Sequence, residues 1–453
     1  MHERNPYQTP PDFLSLAESY SPLKSHLVRT TSGVAIDFQD IAAQKCLTQA
    51  LLCRDFGLEL TVPDDRLCPP VPNRLNYILW IEDVLAFTGE DILRPIHGLD
   101  VGTGASAIYP LLGCQRNKQW HYIATDADID SRSLEYAQVN VRVNGLENRI
   151  KLVQAVSDGP ILPSSVFKFV FLDFTMCNPP FYSDHEEVQR LAETKEFEPN
   201  AVCTGADTEM ITPGGEVAFV GRILQESLVS KGRCRWYSSM LGKMSSLHEI
   251  VAQLRNEKVD NYAITEFVQG KTRRWAIAWS FLDRRLPDSV ARISNPSLQA
   301  LMPGRNTLRQ PISSKCSDSE LYETVRRTLA SIEGVVIVPT GTVQNNDDHS
   351  AGLVAVASGN TWSRAARRKK SARDQAVPGG DTVINLCCRI RIQDNDARTS
   401  QVESRAASSS LSQRFIEFCW EQGTDRQLFE SFMSHVSRKV ESALKAAGTE
   451  MIL

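Results

Sequence analysis

No apolar run in this 453-residue chain approaches the ~18 residues a membrane helix needs; the segment around Trp275–Leu282 is short and strand-like. Met1-His2-Glu3-Arg4-Asn5-Pro6 contains no apolar h-region, so no secretory leader is expected. Eleven cysteines are scattered without a CxxC pair or a His spacing that would complete a zinc site. A disulfide framework and a zinc module are therefore not expected; the pattern suits reduced structural thiols in a nuclear or cytosolic protein. Adjacent Cys387 and Cys388 fit the two faces of a strand. Acids and bases nearly balance, with a formal net of −4, so the chain as a whole is not a polybasic one.

The distribution of charge is more informative than its sum. Asp184–Glu198 holds six acids against Arg190 and Lys195 and accounts for the whole −4, which leaves the remainder neutral and free to carry basic patches. One such patch is dense: Arg364, Arg367, Arg368, Lys369, Lys370 and Arg373 place six cations in ten residues. It fits a solvated loop, a contact to a nucleic-acid backbone, or a nuclear-import signal. With 42% hydrophobic and 23% charged residues, the chain has ample core material for two folded units and linkers.

Residues 1–95 read as a helical preface. Ile41–Phe56 has a period near 3.6, and a second amphipathic stretch at Leu75–Phe87 follows the helix-stopping Cys68-Pro-Pro-Val-Pro72. From residue 96 strands and helices alternate: strands Ile96–Val101, His121–Thr125, Ile150–Val156 and Phe167–Asp173, then Arg235–Leu241, with helices between. Such βα repetition implies a mostly parallel Rossmann-like sheet covered on both faces, an α/β fold. Asn261–Val268 and Arg273–Leu282, four residues apart, should form an antiparallel hairpin. The expected division is 1–95, 96–285, a Pro- and Ser-rich linker at 286–318, and a smaller α+β domain at 319–453. That domain is expected to end in a long helical stretch, Ser410–Ala447, broken near Gly423, with Phe415, Phe418, Trp420 and Phe429 as its core.

The chemistry-bearing residues fall in the α/β region. A strand leads into Asp100-Val-Gly102-Thr-Gly104 and then a helix, a loop in which glycines let backbone approach a nucleotide cofactor. Asp126, ending the next strand 22 residues after Gly104, suits a pair of ribose hydroxyls. Position 107 is Ala107 where a dinucleotide fingerprint has its third glycine, and no GKT or GKS Walker sequence occurs; NAD and ATP give way to S-adenosylmethionine. Asn178-Pro179-Pro180-Phe181 follows the fourth strand. The lone pair of an exocyclic ring amine is delocalised. The Asn178 side-chain oxygen and Pro179 carbonyl can accept both N–H groups and turn that lone pair toward a methyl, while the two prolines stiffen the turn. Phe181 can stack on a flipped-out base.

Together these segments resemble the class I methyltransferases of N6-adenine type. Pro11-Asp-Phe13, Val71-Pro-Asn-Arg74-Leu-Asn-Tyr77, Asp100–Ser106, Cys177–Phe181, Arg235-Trp-Tyr-Ser238 with Met240-Leu-Gly-Lys243, and Arg274–Phe281 are similar to the methyltransferase-like family that modifies U6 small nuclear RNA. Bacterial relatives of that family methylate an adenine of large-subunit ribosomal RNA. The resemblance covers about residues 1–285 and implies S-adenosylmethionine held by Arg74, Gly102, Gly104, Asp126 and Asn178, with the cofactor adenine facing a residue in Ser157–Gly159. It implies structured RNA, U6 in particular, as the partner, and RNA contacts from Arg4, Lys271 and Arg274. Pro6 and Gln8 stand where further cations are expected, and the acidic Asp184–Glu198 replaces an Arg/Pro-rich substrate loop. The terminal domain resembles accessory RNA-binding domains of the animal members, with Arg367, Arg368, Lys369 and Lys370 as its contacts.

The resulting expectation is an RNA adenine N6-methyltransferase of the nucleus, with some presence in the cytoplasm allowed. Methyl transfer from a sulfonium needs positioning rather than a Lewis acid, so no metal is implied. The alternatives are ribosomal RNA as substrate, or a non-catalytic RNA-binding regulator that keeps the fold.

Overall fold

The computed structural model describes the chain apart from residues 32, 88–93, 127–130, 157–158, 194–204, 271, 315, 339–351, 364–365, 367, 369–383, 395–413 and 451–453. It resolves into two compact units, one formed by Met1–Leu282 with Ser289–Pro303, the other by Asp283–Asp288 with Gly304–Leu453.

In the first unit, a short hairpin, β1 (Leu27–Thr30) and β2 (Gly33–Ile36), precedes two 16-residue helices. Helix Ile41–Phe56 starts where the Asp40 side chain accepts the Ala42 N–H and stops at Gly57 in the left-handed region, φ 61°. Helix Val71–Ala86 starts on prolines, whose missing N–H costs nothing in a first turn, and buries Arg74, Tyr77, Ile78 and Ile81.

Seven strands follow: β3 (Ile96–Val101), β4 (Trp120–Asp126), β5 (Ile150–Gln154), β6 (Leu172–Cys177), β7 (Cys234–Leu241), β8 (Tyr262–Gln269) and β9 (Thr272–Trp279), ordered β5-β4-β3-β6-β7-β9-β8. The first five strands pair in parallel and β9 runs antiparallel to both neighbours. β6 and β7 are buried along their whole length, as strands covered on both faces must be. One expectation shifts: Phe167–Asp173 is not the fourth strand. Helix Ser164–Phe169 takes the apolar Phe167, and the strand begins at Leu172. The strand order reverses at β3, whose neighbours are β4 and β6, so the carboxyl ends of these strands open a crevice where ligands of such sheets bind.

The second unit is an antiparallel sheet of β10 (Thr307–Pro311), β11 (Val335–Val338), β12 (Leu353–Ala357), β13 (Leu386–Asp394) and β14 (Arg414–Gln422), ordered β10-β14-β13-β12-β11. Helices Asp318–Ala330 and Arg426–Glu450 complete it. Two expectations are corrected. Part of the expected linker, Thr307–Pro311, is a strand paired with β14. The expected long terminal helix is strand β14, then Gly423 at φ 141°, then a helix. The fully buried core side chains Ile416, Phe418 and Trp420 fall at every second position, which is strand periodicity, and Trp420 stacks on Phe429 of the helix at 5.3 Å.

Candidate functional site

The crevice holds a cavity of about 420 Å³, in the range of small-molecule sites, walled by the β3 loop, the end of β4 and the Asn-Pro-Pro turn. Gly102 and Gly104 have φ 73° and 58°, and a Cβ on Gly102 would meet no atom within 4 Å, so the loop leaves open space where side chains would intrude. The Gly102 and Thr103 N–H groups both donate to the Thr125 carbonyl at 2.9 Å. They therefore stitch β3 to β4, and the contribution of these two residues to the cavity is its shape.

Asp100, at the base of the loop, is fully buried. Burial pushes its carboxyl up to about 7, with Thr103 and Arg74 opposing the rise and Asp126 adding to it. Arg74 enters from helix Val71–Ala86, buried, donating to the Tyr109 hydroxyl at 2.9 Å, while its Nε has no partner. Asp126 is buried at the end of β4 and lines the same cavity. Asn178 follows β6, and its buried Oδ1 has no hydrogen-bond partner. Leaving such an acceptor unpaired costs about 1–3 kcal/mol, and these groups border a cavity large enough for a ligand that would satisfy them.

Phe181 lies beyond the turn. Its N–H and that of Tyr182 both donate to the Met210 carbonyl at 3.0 Å, and the Arg274 guanidinium sits 5.5 Å from its ring centre. Gly242 is pressed against it: a Cβ there would lie 2.9 Å from the Phe181 ring. Gly242 is fixed in turn by Glu216, a buried carboxylate that accepts the Gly242 N–H at 2.6 Å and the Lys243 N–H at 2.9 Å. Lys243 reaches Glu187, in the first turn of helix His185–Glu193 within the acidic stretch, at 2.5 Å. That hydrogen bond leads in holding Glu187 below the usual carboxylate range.

The structure thus brings Arg74, Gly102, Gly104, Asp126, Asn178 and Pro180 to one cavity, with Pro179 buried between and Phe181 and Arg274 beside it. Gly159 also lines it, while Ser157 is outside the described residues. Arg4 is placed elsewhere, bonded to Glu82 at 2.8 Å, to the Leu79 carbonyl and to Asp83 on helix Val71–Ala86. Arg368 is exposed in the second unit; Lys271, Arg367, Lys369 and Lys370 lie outside the described residues. Among the described residues, no cluster of three or more His, Cys, Asp or Glu could hold a metal. Sequence reasoning missed Tyr109, Glu209 and Glu216. Glu216 had a faint signal, an acid in the first turn of helix Gly215–Ser230 after two glycines; Glu209 had none.

The open glycine loop, the acid at the end of the neighbouring strand and the unpaired donor and acceptor fit a nucleoside cofactor carrying an amino-acid tail. A parallel sheet with this crevice and an Asn-Pro-Pro-Phe turn defines a Rossmann-like methyltransferase. Residues 1–283 match a family described as RNA methyltransferase. The U6 small nuclear RNA (adenine-(43)-N(6))-methyltransferase of Schizosaccharomyces pombe is 34% identical over 427 residues, 94% of this chain and 100% of that protein. Human RNA N(6)-adenosine-methyltransferase METTL16 is 42% identical over 288 residues, 62% of this chain and 51% of its own, so this chain spans about half of that relative's length. The human catalytic domain solved in complex with a MAT2A 3'UTR hairpin is 44% identical, with a TM-score of 0.58 over 62% of this chain and 96% of that one. The human N-terminal domain solved with SAH is 41% identical, with a TM-score of 0.52 over 62% of this chain and 99% of that one. The chain belongs to this RNA methyltransferase family.

Proposed function

We propose that this chain is an S-adenosylmethionine-dependent RNA adenine N6-methyltransferase acting on U6 small nuclear RNA in the nucleus. The observation that carries the reading is the partnerless Asn178 Oδ1 beside the cofactor-sized cavity, on the same turn as Phe181. When bound, the cofactor supplies an electrophilic methyl group on a sulfonium. Asp126 would accept hydrogen bonds from its ribose hydroxyls, and Arg74 would donate to its carboxylate. Asn178 Oδ1 and the Pro179 carbonyl accept the two N–H groups of the target amine and turn its lone pair toward the methyl, and Phe181 stacks on the extruded adenine. The methylated amine is acidic enough to lose its extra proton to water, so the site requires no strong base.

The S. pombe relative that matches along its whole length is named for a U6 adenine, which supports U6 as the substrate. The second unit, with its Arg364–Arg373 cluster, adds grip on the RNA backbone. The test is to map N6-methyladenosine in total RNA with and without the gene. Loss at one U6 adenine is expected; loss confined to ribosomal RNA, or no loss, overturns the assignment.

A further inference from the structure

The segment 205–210 lies outside the catalytic turn and the glycine loop, and it connects both. In the short helix Asp207–Met210, one oxygen of Glu209 accepts the Leu67 N–H at 2.9 Å and the Ala206 N–H at 3.0 Å. Leu67 and Glu209 itself both line the cofactor cavity. The other Glu209 oxygen packs over the glycine loop, 3.4 Å from where a Cβ on Gly104 would stand. The next residue faces the opposite way: the Met210 carbonyl accepts the N–H groups of Phe181 and Tyr182, and Thr212 donates back to the Tyr182 carbonyl at 2.9 Å. The Phe181 backbone therefore hangs on one peptide, and the residue before that peptide is pinned to the wall of the cofactor cavity.

We propose that Glu209 is a positioning residue that sets the Phe181 ring relative to the cofactor cradle, acting through the Met210 carbonyl and touching neither reactant's reacting atoms. Without its acceptor, Asp207–Met210 can slide along the cavity wall and carry the Phe181 backbone with it. A stacking ring that is displaced presents the amine at the wrong angle, and small misplacements of this kind are costly in rate. Leu67 and Ala206 both offer backbone N–H groups, which an acceptor oxygen satisfies whether or not it is charged. The inference rests on the RNA adenine methyltransferase reading above.

The test is a double-mutant cycle on the full chain, using a U6 transcript, saturating S-adenosylmethionine and kcat/KM for RNA as the readout. Glu209→Ala should lose on the order of tenfold or more, since two backbone donors lose their acceptor. In a Phe181→Ala background the same change should cost no more than about twofold, because a residue that acts through Phe181 has nothing left to position. Glu209→Gln, which keeps an oxygen in place, should stay within about threefold of the parent. If Glu209→Ala does not fold by thermal melting, the cycle is run with Glu209→Asp, whose shorter side chain cannot span both donors. Costs that multiply independently of Phe181, or a Glu209→Gln variant as poor as Glu209→Ala, overturn the proposal while the function stands. A parent chain that forms no N6-methyladenosine on the transcript overturns the functional reading and this inference with it.

Discussion

The Arg274 guanidinium lies 5.5 Å from the centre of the Phe181 ring, which joins the β8–β9 hairpin to the turn proposed to receive the target base. A cation at this distance stabilises an exposed ring by about 0.5–1 kcal/mol, and it also presents charge to an approaching phosphate. Arg274→Ala is therefore expected to weaken RNA binding about two- to tenfold while leaving the affinity for S-adenosylhomocysteine unchanged. Fluorescence anisotropy with labelled U6 RNA and calorimetry with the nucleoside measure the two separately. Equal losses in both would mean that Arg274 shapes the cavity rather than the RNA face.

Catalysis and cofactor binding should separate along the same cavity. On the proposed mechanism Asn178→Ala removes one preorganised acceptor from the target amine and is expected to lower kcat by ~10²–10³. On the same reading Asp126→Ala removes a carboxylate acceptor for ribose hydroxyls, and hydrogen bonds to charged groups are worth about 1.5–3 kcal/mol. Its expected result is a weaker dissociation constant for S-adenosylhomocysteine, by roughly ten- to a hundredfold, with RNA affinity little changed. Single-turnover methylation and calorimetry check these outcomes. An Asn178→Ala enzyme with near-normal turnover would remove the tetrapeptide from the chemistry.

Much of this arrangement is legible in sequence because a parallel sheet puts its ligand loops directly after its strands. Gly102, Asp126 and Asn178 each follow or end a strand and meet at adjacent strand ends, although they span 77 residues of chain. Glu209 was invisible for the opposite reason. Its partner Leu67 is 142 positions away and contributes only a backbone N–H, which any residue but proline supplies. Glu216 likewise serves backbone donors 26 and 27 positions on. The second unit was harder. In Phe415–Trp420 nearly every residue is apolar or aromatic, so helical and strand periods both fit, and pairing with β10 and β13 decides for the strand. Arg4 had the right charge for RNA, but the sequence could not show that Glu82 and Asp83 stand next to it.

Asp100 gives the folded chain a pH dependence of known sign. Its carboxyl is pushed up by burial from an ordinary 3.8 to about 7, so between those values the folded state holds a proton that the unfolded state has released. Stability contributed at this position is therefore greatest in acid, falls as pH rises from about 4 to about 7, and is level above that. Asp100→Asn cannot ionise. The ligand-free variant should melt at a higher temperature than the parent at about pH 8 and show a flatter profile down to about pH 5. Parallel melting curves for the two proteins across this range would contradict the assignment of a buried, hard-to-ionise carboxyl.

The Arg364–Arg373 cluster is expected to add RNA affinity without setting specificity. Phosphate contacts fix register on a nucleic acid but carry no direct sequence information, and each neutralised phosphate releases a counterion that steepens the salt dependence. Replacing Arg367, Arg368, Lys369 and Lys370 with Gln should weaken binding to matched and mismatched RNAs alike. It should also flatten the plot of log affinity against log salt, by up to roughly 0.7–0.9 in slope for each phosphate that is no longer neutralised. Turnover at saturating RNA should survive, because Arg74, Asp126, Asn178 and Phe181 all belong to the first unit. An import signal predicts a different pair of results: unchanged affinity and salt slope in vitro, with the protein excluded from nuclei. Salt titration and localisation of the same variant decide between the two, and no change in either would leave the cluster as a solvated loop and the second unit without its strongest link to RNA.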